Sequence, residues 1–378
     1  MEDNCEKHPH FSPHPNRTTQ PLGKFFHPTR AVFVPSTDGE RLERTDSSHW
    51  SSRASRKNRY PQSSIPLSHH VQGSDEKRPA GGLGPSSSHV TINQRIKHPH
   101  SQLKPQLKWD ISFWVAIMFV LGSAAWICNG HLLYTPLSPT PSPDHADAAA
   151  WLAFAGGTLF AIGAYLAYVE ALNAGHEQMF VELRRATAAK EVAAGINKSN
   201  DHLVEDVEND GRKPYKFRWI GLSSPRDIGY LASAIQLFAA SIFWVSTVTG
   251  LPNALPTLTT AWPPHATTII FFWTPQVIGG TGFIIASILL TVEEQKKWWK
   301  IAPQRIGWHV GFWNLVGALG FTLCGALGYA STASTKVNYQ SVLSTFWGSW
   351  AFMIGSVAQL WEVVWRVPDD SQEQKDST

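Results

Sequence analysis

Six long apolar runs in the carboxy-terminal part of the chain restrict its fold more than any other feature. They cover about 111–132, 150–170, 228–250, 268–292, 309–331 and 341–364. Each is close to the ~20 residues that a helix needs to cross ~30 Å of hydrocarbon. A backbone in lipid must satisfy its own hydrogen bonds, and a helix does so within one segment. The sequence therefore predicts an all-α, multi-pass membrane protein whose six transmembrane helices lie within 111–366.

Three of the six runs share one pattern: a glycine, a phenylalanine four residues on, glycine or alanine seven on, and glutamate fourteen on. The copies are Gly156/Phe160/Gly163/Glu170, Gly279/Phe283/Ala286/Glu293 and Gly348/Phe352/Gly355/Glu362. Seven residues make nearly two helical turns, so the small residues and the glutamate lie on one stripe. Small residues let transmembrane helices approach closely. The pattern predicts that these three helices pack through equivalent faces.

The repeated unit predicted from this pattern is a helical hairpin. Ser112-Phe113-Trp114, Gly229-Tyr230 and Gly311-Phe312-Trp313 open the alternate runs in a similar way. Each of these runs precedes one copy of the pattern, which gives hairpins at about 111–170, 228–293 and 309–362. All three hairpins enter the membrane from the same side, so they are parallel repeats.

The distribution of lysine and arginine predicts the orientation. The segment before Ile111 holds 16 of them, 171–226 holds nine, 294–308 holds four and the end after Trp365 holds two. The alternate connections hold none, none and one. Because positive residues stay on the cytoplasmic side, both termini, the connection 171–226 and the tail 367–378 are predicted to be cytoplasmic.

Residues 1–110 are polar and basic, with 16 basic against 10 acidic residues and few clustered apolar ones. Such a composition predicts a disordered tail, because it buries too little apolar surface to offset chain ordering. The basic run Arg53–Arg59 could contact anionic lipid or a protein partner. Phosphorylation of Ser55 within this run would reverse the attraction. A solvated, unmodified tail is the alternative.

Glu170, Glu293 and Glu362 are the candidate functional residues, because an ionisable residue on the packing stripe of a transmembrane helix is a functional hypothesis by default. Three carboxylates around one axis could attract cations to a cytoplasmic mouth. The alternative is that they are interfacial residues paired with Lys296, Lys297 or Arg366 at helical spacing.

Nothing in the sequence indicates a catalytic, cofactor or metal site. The chain has no GxSxG, HExxH, Cys-x-x-Cys or P-loop pattern. We therefore expect a protein that is not an enzyme, needs no cofactor, has the lipid bilayer as its partner and binds no nucleic acid. Two functions remain open: a membrane scaffold, sensor or organiser, and a channel or transporter for a small solute or ion along the bundle axis.

The last two hairpins carry a family resemblance. The stretches FFWTPQVIGGTGFIIASILL, GWHVGFWNLVGALGFTLCGALGYAS and SVLSTFWGSWAFMIGSVAQLWE resemble a family of fungal integral membrane proteins. The two-helix unit resembles the YrhK-like domain of small bacterial membrane proteins. The resemblance covers roughly 110–366; it implies a fold and a membrane location, and it carries over no activity and no catalytic residues.

Overall fold

The computed structural model describes residues 17–33, 48–57, 103–104, 110–137, 144–174, 217–255, 263–364 and 367–368. The first elements are strands β1 (Arg17–Thr19), β2 (Arg30–Phe33) and β3 (Ser48–Ser51) and the short helix α1 (Ser52–Arg56). Strand β4 (Leu103–Lys104) pairs antiparallel with β5 (Val367–Pro368). The predicted connection 171–226 and tail 367–378 lie mostly outside the described residues.

Six long helices form the main body of the described chain. They are α2 (Ile111–Tyr134), α3 (Ala146–Leu172), α4 (Ile228–Thr249), α5 (Thr274–Glu293), α6 (Ile306–Gly328) and α7 (Thr335–Val364). A helical turn at Ala266–Thr268 and a π-helical stretch at Ile269–Trp273 lead directly into α5. Aspartates begin two of the helices: the side chain of Asp110 accepts a hydrogen bond from Phe113 N, and that of Asp227 accepts from Gly229 N.

Five of these helical segments are long and apolar enough to cross a membrane. They are Ile111–Leu137, Ala146–Leu172, Ile228–Thr249, Ala266–Glu293 and Ile306–Gly328. Large apolar side chains point outward from them, as at Leu121, Phe238 and Ile278, and lipid rather than water suits such a surface. The prediction of a helical multi-pass membrane protein is confirmed at this level.

The six helices form a closed ring. Each packs against the next one along the chain, and α7 packs against α2. Glycines allow close approach within the successive pairs. Gly156 of α3 lies against Trp126 of α2, and Gly279 of α5 lies against the backbone of Ala239 in α4. In the same way Gly348 of α7 contacts Gly320 of α6. All nine small and aromatic residues of the repeated pattern are buried.

The second small position of the pattern differs from the first in what it contacts. A Cβ on Gly355 of α7 would meet Asn314 of α6, with the side-chain oxygen Oδ1 nearest at 3.0 Å and the backbone N at 3.3 Å. A Cβ on Gly163 would meet the ring of Phe119, and the matching residue, Ala286, already carries a Cβ. At Gly355 both the side chain and the backbone of Asn314 therefore lie close to α7. The two small positions are not equivalent in packing.

Aromatic rings fill the inside of the ring of helices. Trp126, Phe243 and Phe321 form a triangle whose ring centroids lie 4.9, 5.7 and 5.8 Å apart. A second layer follows along the axis, in which Phe352 lies 5.3 Å from Phe160 and 6.4 Å from Phe283. The phenylalanines of the repeated pattern therefore form one buried layer across the axis.

The N-terminal elements form a small unit at one end of the ring. Strands β1, β2 and β3 form an antiparallel sheet with β2 in the middle. The turn after β1 contains Gly23, whose φ of 89° suits glycine. We call residues 17–33 and 48–57 the N-terminal cap, and the end of the bundle that it contacts the capped end.

The cap departs from the prediction that residues 1–110 form a disordered tail. Its two stretches hold strands and a helix, and His27 N donates to the carbonyl of Arg226 in the bundle connection at 2.8 Å. The prediction considered only apolar burial, whereas this unit is held by charge pairs with the bundle. Most of the remaining tail lies outside the described residues.

Candidate docking site at the capped end

The three glutamates of the repeated pattern all lie at the capped end, and each is paired with a basic residue of the N-terminal cap. Arg53 pairs with Glu362 at 2.9 Å, Arg56 with Glu293 at 2.7 Å and Lys57 with Glu170 at 3.8 Å. One short helix and the residue that follows it therefore contact all three. The alternative considered from sequence, pairing at helical spacing, gave Glu293 the partners Lys296 and Lys297, whereas in the structure Glu293 pairs with Arg56. Arg366 lies outside the described residues.

Both arginine pairs are bidentate. Arg53 donates from Nε and Nη2 to the two carboxylate oxygens of Glu362 at 3.0 and 2.9 Å. Arg56 donates from Nη1 and Nη2 to those of Glu293, both at 2.7 Å. Two parallel hydrogen bonds fix the direction of the guanidinium as well as its distance. The arginines therefore set the rotation of α1 on the bundle.

Two hydroxyl groups complete these contacts. Ser52 at the start of α1 donates to Glu293 at 2.7 Å. Ser112, the second residue of α2, donates to Glu170. Lys57 has one ammonium group in place of a forked guanidinium, and the hydroxyl of Ser112 supplies Glu170 with a further donor.

A fourth carboxylate, Glu294, ties the sheet of the cap to the same place. Arg30 of β2 donates to its side chain at 2.9 Å, and Arg305 at the start of α6 donates to it at 3.3 Å. Arg53 also lies 3.8 Å from it. Glu294 follows Glu293 directly, so the end of α5 holds both α1 and β2.

Apart from Arg305, the cluster is closed off from solvent. Glu293 and Glu362 are each 2% exposed, and Arg53, Arg56 and Lys57 are 3–5% exposed. Burial of a charge costs several kcal/mol unless it is paired and hydrogen-bonded. These pairs therefore add little net free energy, but loss of one partner leaves a buried charge uncompensated.

Burial and charge have opposite effects on the pKa of the basic groups. Burial works to lower the pKa of Arg56, but the charge and hydrogen bonds of Glu293 outweigh it and raise that pKa above its ordinary value. The pKa of Arg53 is raised in the same way, with Glu362 outweighing burial. For Lys57 burial prevails over Glu170, and its pKa is lowered. Lys57 is thus the weakest of the three cations.

Glycines make room for the cap. A Cβ atom on Gly229 of α4 would collide with the guanidinium of Arg56, and one on Gly307 of α6 would lie 2.6 Å from Nε of Arg53. Gly229 and Gly307 are the second residues of their helices, as Ser112 is of α2. The alternate helices therefore match at their first residues, Ile111, Ile228 and Ile306, and Gly311, which resembles Gly229 in sequence, lies about one turn further along α6.

The three glutamates of the repeated pattern hold a cationic segment of the same chain. Among the residues that the structure describes, no group of three or more His, Cys, Asp or Glu side chains is placed to hold a metal ion. The carboxylates are instead separated so that each meets its own basic group. Sequence reasoning found the three glutamates and missed their partners. In the sequence, these partners are marked by three cations within the five residues Arg53–Lys57.

Comparisons of the chain with protein families, with curated proteins and with solved structures found no match.

Proposed function

We propose that this protein is a membrane scaffold or sensor, without catalytic activity, whose six-helix bundle holds its own N-terminal cap at the cytoplasmic surface. The observation that carries the proposal is the match between the three repeated glutamates and three cations of the cap. A protein that organises partners needs a membrane anchor and a cytoplasmic element that the anchor can hold or release. The bundle and the cap correspond to these two parts.

The proposal includes six spans arranged as three parallel hairpins. The first glycine of each repeated pattern contacts the helix that precedes it, which supports a hairpin as the unit. Helix α7 is more polar than the five apolar spans, yet Lys336 and Glu362 are its only charged residues. Its Trp350, Val357 and Trp361 are about half exposed, at 49, 49 and 57%. An outward apolar face supports α7 as the sixth span. The resemblance to fungal integral membrane proteins agrees with this arrangement and remains part of the proposal.

The capped end is proposed to face the cytoplasm. It lies next to the chain segments that hold most of the lysine and arginine, and positive residues are retained on that side. Anionic lipid of the cytoplasmic leaflet would then be close to the basic residues of the cap whenever the cap is released.

A channel for a small cation is the second candidate function, because three carboxylates lie at one end of a closed ring of helices. The two aromatic layers argue against it. Trp126, Phe243 and Phe321 are in mutual contact across the axis, and Phe160, Phe283 and Phe352 follow behind them. An ion would have to displace rings from both layers. The scaffold is therefore the better supported function.

Ion flux and cap docking, measured on one set of proteins, separate the two functions. The full chain and an uncapped variant, Arg53→Gln with Arg56→Gln and Lys57→Gln, are reconstituted in liposomes and tested for potassium, sodium and proton flux. Trypsin cleavage after Arg30 reports docking, since Arg30 is bound to Glu294 in the docked cap. For a scaffold we expect cleavage to be slow in the full chain and fast in the variant, with no flux from either protein.

If the protein is a channel, a different pattern of ion flux is expected. Flux would appear in the uncapped variant and would disappear when Glu170→Gln, Glu293→Gln and Glu362→Gln are added. Such flux would overturn the scaffold function. Cleavage that is equally fast in the full chain and the variant would overturn cap docking itself.

A further inference from the structure

Ser55 is buried in the docked cap without a hydrogen bond. Ser55 lies in α1 between Arg53 and Arg56 and is 5% exposed. Its Oγ has no hydrogen-bond partner within the part of the chain that the structure describes. Ser52 in the same helix, by contrast, donates to Glu293. A buried hydroxyl without a partner destabilises the state that buries it. Alanine at this position would stabilise the docked state relative to serine, because the serine hydroxyl can form hydrogen bonds with water only in the released state.

The surroundings of Ser55 make the docked cap sensitive to added negative charge. Glu170, Glu293, Glu294 and Glu362 all lie around the basic residues of the cap. The two arginines nearest to Ser55 in sequence already hold carboxylates through paired hydrogen bonds. A phosphate adds about −1.5 to −2 charge near neutral pH. It would compete with the glutamates for the arginines inside a closed site.

The released cap has the opposite preference. In water, Arg53, Arg56 and Lys57 flank Ser55 and are available to neutralise a phosphate on it, in place of the glutamates. The same basic neighbours form a charge pattern that an acidic substrate groove of a protein kinase can recognise. A kinase can reach Ser55 only after α1 has left the bundle, because the docked side chain is buried. Modification therefore selects the released state and then stabilises it.

We propose that Ser55 is a phosphorylation site for a cytoplasmic protein kinase with a preference for basic substrates, and that its phosphate keeps the N-terminal cap off the bundle. In the reaction Ser55 Oγ attacks the terminal phosphorus of a nucleoside triphosphate. The Oγ–P bond forms, the bond from that phosphorus to the bridging oxygen breaks, the hydroxyl proton is released, and nucleoside diphosphate leaves. The proposal rests on the docked cap of the proposed function.

The test compares trypsin cleavage after Arg30 in full-length protein that carries serine, phosphoserine, Ser55→Glu or Ser55→Ala at this position. Arg30 lies 25 positions before Ser55 in the chain, so the phosphate is outside the short stretch around the cleaved bond that the protease binds. We expect phosphoserine to speed cleavage at least tenfold, Ser55→Glu to speed it less, and Ser55→Ala to leave it slow. Thr18→Glu is the matched control, because Thr18 is an exposed residue of the same cap; cleavage should remain slow.

A second measurement tests access to Ser55. A purified basophilic kinase and ATP are added to the full chain and to the Glu293→Gln, Glu362→Gln variant, and phosphate on Ser55 is followed by mass spectrometry. We expect modification to be at least tenfold faster in the variant. Equal rates would show that docking does not shield Ser55. They would overturn the proposal, as would phosphoserine that leaves cleavage after Arg30 slow.

These outcomes are distinguishable from failure of the proposed function. If unmodified protein is cleaved after Arg30 as fast as the Glu293→Gln, Glu362→Gln variant, the cap does not dock and both proposals fail. If unmodified protein is protected and phosphoserine has no effect, only the role of Ser55 is wrong.

Discussion

Of the three cap cations that meet the repeated glutamates, Lys57 is the one whose charge changes in an accessible pH range, since the other two are arginines. Burial lowers its pKa; Glu170 and then Glu362 oppose this effect, and Arg53 and Arg56 add to it. In the released cap the pKa returns to about 10.5. Between the lowered value and 10.5, docking releases a proton, so docking becomes more favourable as pH rises through this window. Below the window the full cost of burying the charged amine is present.

We therefore expect a larger docked fraction at pH 10 than at pH 8. Spin labels on Lys24→Cys and Lys300→Cys, in a chain whose native cysteines are replaced, report the fraction by their distance distribution. Lys57→Arg serves as the control, because a guanidinium stays protonated at both pH values. An equally steep pH dependence in Lys57→Arg would show that another group is responsible.

Gly229 provides a way to release the cap without removing a charge. A Cβ at this position would occupy the space of the Arg56 guanidinium, which its two bonds to Glu293 hold in place. We expect Gly229→Ala to weaken docking at least tenfold, about 1.4 kcal/mol, while helix α4 itself gains from alanine. The spin-label distance measures docking, and melting of the bundle measures stability. Ser233→Ala, one turn further along α4, should change docking little; a docked fraction in Gly229→Ala equal to that of the unchanged chain would contradict the role of this glycine.

The glutamates could be identified from sequence, and their partners could not, for a physical reason. Glu170, Glu293 and Glu362 recur at a fixed helical spacing, which is local information. Arg56 and Glu293 are 237 positions apart, and nothing in the helical period relates a tail to the bundle. Low apolar content predicted a disordered tail, and it did not indicate that carboxylates elsewhere in the chain would hold residues 52–57.

At the scale of helices, the first small position of the pattern requires glycine more strictly at Gly279 than the second small position does at Gly163. A Cβ on Gly279 would lie 2.7 Å from Phe243 Cβ and 2.8 Å from the carbonyl oxygen of Ala239. Both atoms are fixed by the backbone of α4, so α4 and α5 would have to separate. A Cβ on Gly163 would instead approach the ring of Phe119 at 3.1 Å, and alanine already occupies the matching position of the second copy.

Gly279→Ala should therefore lower the melting temperature of the purified protein in detergent, by an overpacking cost of about 1–3 kcal/mol. Gly163→Ala is the matched control and should change it by much less. An equal decrease in melting temperature in the two variants would mean that both positions are equally close-packed. An unchanged melting temperature in Gly279→Ala would contradict the close approach of α4 and α5.

Helix boundaries show where apolar length is a poor guide. The fifth run was predicted to begin at residue 309, but α6 begins at Ile306, and the sixth was predicted from 341, whereas α7 begins at Thr335. The residues by which these helices extend beyond the apolar runs include Gly307, Lys336 and Asn338, which are not apolar in the sense of the prediction. Gly307 is needed at the capped end because it makes room for Arg53. The start of α6 therefore includes a residue that packs against the cap, and sequence periodicity does not contain this contact.

At the scale of the whole molecule, the cap and the charge distribution make the same prediction about orientation. A cytoplasmic cap requires that the termini and the connection 171–226 stay on one side and that 251–267 lies on the other. The chain already carries two glycosylation acceptors, at Asn16-Arg17-Thr18 and Asn197-Lys198-Ser199. Both lie on the side proposed to be cytoplasmic, so neither should be modified in a secretory membrane.

A flexible Gly/Ser loop that carries one Asn-Gly-Thr acceptor, inserted between residues 257 and 258, tests this orientation. We expect the altered protein to gain one endoglycosidase-sensitive glycan, because its acceptor faces the lumen, and the unaltered chain to gain none. The same loop inserted between residues 299 and 300 is the control and should stay unmodified. Glycans at Asn16 or Asn197 would place the cap outside the cytoplasm. The cap would then be out of reach of cytoplasmic lipids and kinases, although its charge pairs with the bundle would be unchanged.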